Sequence, residues 1–188
     1  MQLVLASSSP RRRKLLALLG LSFEVCLSEF HEHPTVGLSP IEQVKHFALE
    51  KARSVARVRP RALVLGSDTV IDLEGQLLGK PVDLADARAM LARLAGRSHH
   101  VHTAVVLCDR ARHIESVEVA TAEVRMKADL EQAYERYLAS EESLGKAGAY
   151  AIQGLASRFI PRIEGSYSNV VGLPVARLSG LIGNLGLG

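Results

Sequence analysis

The sequence predicts a mixed α/β domain, and three observations carry that prediction. Strand-like and helix-like apolar patterns alternate along the 188 residues without a low-complexity linker or an internal repeat. The chain is 47% hydrophobic but only 4% aromatic, with no Trp, so its core must be aliphatic. Its length suits a single domain over residues 1–188 that buries most of a sizeable core.

The first unit is the most informative. Leu3–Ala6 reads as a buried strand and Ser7-Ser8-Ser9 as a hydroxyl-rich turn, after which Pro10 opens a helix that Ser9 caps and Gly20 stops. Leu15, Leu16, Leu18 and Leu19 give that helix an apolar face. Arg11, Arg12, Arg13 and Lys14 crowd its first turn, where the macrodipole disfavours cations, so an anion is needed to offset them. A strand that enters a hydroxyl turn at a helix N-terminus beside guanidinium groups is chemically a phosphate site. An isolated basic run is more often a solvated helix face; the strand–SSSP–helix setting reverses that reading.

The remaining elements follow in order. Residues 22–27 read as a second strand and 29–38 as a loop rich in His, Pro and Gly. Ser39-Pro40 opens a long helix with Ile41, Val44, Ala48, Ala52 and Val55 at helical spacing. Residues 62–65 form a buried strand, and 69–73 with 76–78 form a hairpin around Glu74-Gly75. Asp83 caps a helix that ends at Gly96, long strands follow at 99–108 and 114–126, and a helix spans about 130–139. A glycine-rich stretch at 145–154, a strand near 159–163 and a short final helix complete the chain.

Composition narrows the function classes. A net charge of +3 without interleaved aromatics is too weak for a nucleic-acid surface and suits a cleft that attracts a small polyanion. No stable nucleic-acid partner is expected. Cys26 and Cys108 lie far apart in different apolar runs and read as buried free thiols in a reducing compartment. The opening apolar run is short and its charges follow rather than precede it, unlike a secretory leader, and no segment has the roughly 18 apolar residues of a membrane span. A cytoplasmic protein is expected.

A second constellation is Gly66-Ser67-Asp68-Thr69 with Leu78-Gly79-Lys80-Pro81. Asp68 follows the Leu63-Val64-Leu65 run and is placed at that strand's carboxyl end, where open α/β sheets bind ligands and a carboxylate holds Mg²⁺ or orients water. Lys80, across the hairpin, returns to the same cleft as a point charge for phosphate. Neither GxxxxGK[ST] nor GxGxxG occurs, so P-loop and dinucleotide readings lose their support. His99-His100-x-His102 is not read as a zinc site, because on a strand only His100 and His102 share a side. His31 and His33 read as solvated, Tyr134 and Tyr137 as packing residues, and Ser7 to Ser9 lack the GxSxG elbow of a hydrolase triad.

These blocks resemble one known family. LVLASSSPRR from Leu3, EKA from Glu50, GSDTV from Gly66, GKP from Gly79, SHHVHTAV from Ser98, KAGAYAIQG from Lys146 and GSYSNVVGLP from Gly165 occur in the order seen in the Maf nucleoside triphosphate pyrophosphatases, from near residue 3 to near 175. The resemblance implies a two-lobed mixed-sheet α/β fold of the inosine triphosphate pyrophosphatase type, a central cleft, a homodimer, and a divalent cation, Mg²⁺ or Mn²⁺. It places the acidic and basic site positions on Glu32, Lys51, Asp68 and Lys80, with Ser7, Ser9, Arg11 and Arg12 in the phosphate loop. The family often has a second acid before the residue matching Glu32, and here that neighbour is His31.

The implied reaction is hydrolysis of a nucleoside triphosphate substrate to the monophosphate and pyrophosphate by metal-assisted attack of water on the α-phosphorus, with Glu32 and Asp68 as metal ligands, or Asp68 as the group that orients or deprotonates the water, and the arginines and lysines stabilising phosphate charge. Asp68, beside lysines, is expected to titrate near or below the ordinary value of about 3.9. Family specificity follows Arg11, Thr69 and Gln153, which differ from the aromatic, amide and acid of the branch acting on 7-methylated guanine nucleotides; dTTP and UTP are therefore the expected substrates. The competing readings are a nucleotide-binding regulator of septation without turnover and an RNA-binding module.

Overall fold

A computed structural model describes residues 2–128 and 131–185 of the chain. The strands are β1 (Leu3–Ala6), β2 (Phe23–Val25), β3 (Leu63–Leu73), β4 (Gln76–Leu78), β5 (Ser98–Asp109), β6 (Ile114–Arg125) and β7 (Arg162–Glu164). The helices are α1 (Pro10–Ala17), α2 (Pro40–Val58), α3 (Leu84–Leu94), α4 (Glu131–Leu138), α5 (Tyr167–Val171) and α6 (Val175–Asn184), with 3-10 turns at Ala147–Ala149 and Leu155–Phe159.

The seven strands form one mixed sheet in the order β2-β1-β3-β5-β6-β7, with β4 pairing β3. β1 runs parallel to β2 and β3, and the other pairs are antiparallel. Alternation along the strands separates two cores. Val4, Ala6, Val64 and Val106 face Val44, Ala48, Ala52 and Val55 of α2, whereas Leu3, Leu5, Leu63, Leu65 and Leu107 face Leu15 and Leu16 of α1 and Leu178 and Ile182 of α6. At the far end of the long strands a third core joins Ile71, Val101 and Val124 to Leu91 and Leu94 of α3, and Tyr134 and Tyr137 of α4 set their rings edge-on to Phe159. The cleft opens between this far core and the α1 and α2 end.

Local chemistry explains the helix starts. Ser9 accepts from the Arg12 N–H, Ser39 and Glu42 form a reciprocal capping box, and Asp83 accepts from the Asp86 N–H. Several expectations need correction. Residues 62–65 and 69–73 belong to one 11-residue strand, β3, so Asp68 lies in mid-strand, paired with Ala104. What ends there is β1, whose last register pair is Ala6 with Gly66. The apolar pattern breaks because Asp68 and Thr69 stand beside the cleft and the buried Ser67 donates to the Gly172 carbonyl at 3.4 Å.

The edge strand β2 is shorter than expected and largely exposed, and Phe159 lies in a 3-10 turn before β7 rather than in a strand. α1 ends at Ala17, so Leu18 projects into solvent, and Ile41 on α2 is likewise exposed. Both cysteines are free, but only Cys108 is buried; Cys26 is half-buried. Position 130, the expected start of α4, lies outside the described residues. Among the described residues no helix is long and apolar enough to cross a membrane.

Candidate active site

The site forms where β1 stops. Beyond Ala6 the edge of β3 has no β1 neighbour, which leaves Asp68 and Thr69 beside an open crevice at the carboxyl end of a parallel strand. Gly66 lets α2 lie directly on this part of β3: a Cβ there would come within 2.3 Å of the Ala48 carbonyl oxygen. That close approach delivers Lys51, almost wholly buried, to Asp68. The Lys51 ammonium donates to both Asp68 Oδ1 and Glu32 Oε1.

Glu32 reaches the same point from the loop between β2 and α2. That loop is pinned to α2, where Gln43 Oε1 accepts from the Thr35 N–H at 2.7 Å and the Ser28 and Ser54 hydroxyls pair at 2.7 Å. Lys80, just past the β3–β4 hairpin, approaches Glu32 Oε2 at 3.4 Å. Its turn is held by a 2.9 Å hydrogen bond from the Gly148 N–H to the Gly79 carbonyl.

On the other side of β3, Arg12 reaches past the end of β1. Its Nε donates to the Gly172 carbonyl at 2.9 Å, one Nη to Thr69 Oγ1 at 3.1 Å and the other to Ser7 Oγ at 3.4 Å, and Asp68 Oδ1 lies 4.0 Å away. Thr103 commits its hydroxyl proton to the Asn169 carbonyl at 3.0 Å, so it must accept the Thr69 proton across 2.9 Å. The proton order along Arg12, Thr69, Thr103 and Asn169 therefore has one direction. The basic run divides: Arg11 and Arg12 line the cleft, while Arg13 and Lys14 are exposed. Ser9 is spent on its N-cap and on the cleft wall.

Arg11, Thr69 and Gln153 line one pocket together with Ile71, Val101 and Tyr150. The polar residues expected to read the base thus share a wall with apolar side chains; the two acids line both adjoining pockets, Lys51 one of them, and Lys80 all three. Over residues 2–185 the chain matches the Maf-like proteins. It belongs to the Maf family. A dTTP/UTP pyrophosphatase of Pelotomaculum thermopropionicum is 46% identical over 185 residues, covering 98% of this chain and 97% of its own length. The dTTP/UTP pyrophosphatase of Symbiobacterium thermophilum is 46% identical over 176 residues, 94% of this chain and 90% of its own. A HAM1 protein from Coxiella burnetii shares the fold, with a TM-score of 0.54 over 98% of this chain and 99% of that one at 17% identity.

Within this Maf chain, electrostatics distinguishes the two acids. Burial pushes the Asp68 carboxyl above the ordinary value, against the opposing charges of Lys51 and Arg12, which corrects the expected low value. Burial also opposes ionisation of Glu32, but Lys51 and Lys80 outweigh it and hold that carboxyl below its ordinary value. The strand histidines are engaged elsewhere: His102 Nδ1 pairs with Thr121 Oγ1 at 2.8 Å, and His99 Nε2 on the opposite side with the Tyr150 hydroxyl at 2.7 Å. Among the described residues no group of three or more His, Cys, Asp or Glu is arranged to hold a metal ion. Sequence reading missed Thr103, Asn169 and the Gly172 carbonyl, which position Arg12. Their only signal is that Thr103 and the Asn169–Gly172 stretch fall within the family blocks.

Proposed function

We propose that this chain hydrolyses dTTP and UTP to the nucleoside monophosphate and pyrophosphate. The observation that carries the reading is the convergence of Asp68, Glu32, Lys51 and Arg12 on one point beside a pocket lined by Arg11, Thr69 and Gln153. A site built only to bind a polyanion gains nothing from two carboxylates; a hydrolytic one uses both.

Asp68 and Glu32 fit a divalent cation. They present hard oxygen donors from separate elements, already drawn to one place by the Lys51 ammonium, and two carboxylates are what Mg²⁺ or Mn²⁺ takes when substrate phosphates and water complete its shell. When bound, the cation neutralises phosphate charge and lowers the pKa of a coordinated water.

The chain's own residues do the rest. Arg12, Lys51 and Lys80 donate to the phosphate oxygens, with the Ser7 hydroxyl beside them. Asp68 orients the attacking water and accepts its proton. The water oxygen bonds to the α-phosphorus as the bond from that phosphorus to the bridging oxygen breaks, and pyrophosphate leaves with the electron pair. Gln153 offers one donor and one acceptor, matching O4 and N3–H of thymine or uracil, and the donor-only Arg11 on the same wall favours a carbonyl over an amino group.

Pyrophosphate release from dTTP, UTP, CTP, GTP and 7-methyl-GTP, with Mg²⁺, with Mn²⁺ and after chelation, tests the reading. The expected outcome is metal-dependent turnover with dTTP and UTP showing the highest kcat/KM. Binding without release from any of them would return the chain to a nucleotide-binding regulator.

A further inference from the structure

The base-reading wall needs something to hold it in place, because Gln153 sits in a turn between Ala151 and Leu155 rather than on a strand. The turn is braced from behind by a residue outside the site. Glu142 Oε2 accepts from the Leu155 N–H at 3.0 Å, and the same carboxylate covers the Gly154 Cα so closely that a Cβ would lie 2.1 Å from Oε1 and 2.4 Å from Oε2. Gly154 has an ordinary negative φ of −111°, so what its missing side chain provides is room for the Glu142 carboxylate and not a special backbone conformation. The other oxygen, Oε1, is shut off from solvent without a hydrogen-bond partner among the described residues, and so is the Tyr137 hydroxyl.

These two groups belong to one cluster. Burial, and after it the Glu142 charge, raise the Tyr137 phenol. Lys146, whose ammonium donates to the Glu142 carbonyl at 2.7 Å, anchors the start of the glycine-rich segment. The groups behind the wall therefore hold the backbone of the turn that carries Gln153.

We propose that Glu142 is a positioning residue for base selection: its carboxylate sets the 151–155 turn so that the Gln153 amide meets the pyrimidine edge. This rests on the reading of Gln153 given above. Gln153 by itself has too much freedom to select, since its amide pairs with uracil in one orientation and with cytosine in the flipped one. A fixed turn lets Arg11 and Gln153 act together on one pattern of donors and acceptors.

The test is steady-state hydrolysis of UTP and CTP by Glu142→Ala, Glu142→Gln and Gly154→Ala, with Gln153→Glu as control. Glu142→Ala is expected to raise KM for UTP about tenfold with kcat within about twofold, and to lower the UTP-over-CTP ratio of kcat/KM by a similar factor. Glu142→Gln, which keeps an oxygen for the Leu155 N–H, retains most of the preference. Gly154→Ala forces the carboxylate aside without removing it and gives the same loss, so it carries the test if Glu142→Ala does not fold. An unchanged ratio in the folded variants, or an equal fall in kcat for both nucleotides, overturns the proposal. If Gln153→Glu erodes the ratio while those variants do not, only the brace is wrong; if Gln153→Glu also leaves it intact, the reading of Gln153 itself fails.

Discussion

Arg12 and Gly172 stand 160 positions apart in the chain, yet the guanidinium Nε donates to the Gly172 carbonyl at 2.9 Å. One side chain thereby ties the start of α1 to the turn that follows α5, and its remaining donors face Thr69 and Ser7. Arg12→Ala should therefore do two things. Triphosphate affinity should fall and its residual salt dependence become shallower, because a phosphate-facing cation is gone. Stability should drop by about 1–3 kcal/mol, because buried acceptors lose their donor. A salt series of binding isotherms together with denaturant melts checks both; affinity that keeps its full salt slope would remove Arg12 from the phosphate site.

Asp68→Asn preserves shape and leaves Lys51 paired with Glu32, so the fold should survive with a stability change within about 1 kcal/mol. Turnover should fall by about 10² or more, since the lost charge acts mainly in the transition state. Pyrophosphate release at saturating metal measures this. Wild-type turnover in the variant would show that the buried carboxylate is structural.

Lys80→Ala separates activity from stability more cleanly. Its side chain is 58% exposed and its pair with Glu32 spans 3.4 Å, so removing it should cost the fold under about 1 kcal/mol. Activity should fall severalfold or more as a donor to the phosphates disappears. A variant that unfolds while its residual folded fraction turns over normally would reverse that assignment.

Stability should also weaken in mild acid through His99. Burial lowers its pKa from 6.5 to about 4, so the fold favours the neutral ring. The unfolded chain binds the proton first; stability is fully present above pH 6.5 and is lost as pH falls from 6.5 towards 4, by up to about 3 kcal/mol. His102, also lowered by burial, acts in the same direction. Denaturant unfolding of the wild type and His99→Gln at pH 7 and pH 4.5 should show a smaller loss in the variant. Parallel pH profiles would refute the assignment.

What could be read from sequence was local. Ser9-Pro10 and Ser39-Pro40 announce helix starts because cap and helix are contiguous, and the Glu74-Gly75 turn announces its hairpin for the same reason. Asp68, Lys51 and Lys80 were legible in the family blocks and Glu32, outside them, through the wider resemblance, and the four do converge. The mid-strand place of Asp68 was not, because polar residues facing a cleft interrupt the periodicity on which strand recognition depends. Nor were the Gly172 carbonyl, Thr103 and Glu142, whose roles arise from contacts made only after distant segments pack.

Neighbouring residues of a strand point to opposite sides of the sheet, and Asp68 and Thr69 are such neighbours. With Lys51 beside the first and the Gln153 pocket beside the second, under the proposed function a nucleotide spans the rim of β3, its phosphates on the Lys51 side and its base on the Gln153 side. Thr69 and Lys80 line the pockets on both sides, so the two sides form one continuous crevice.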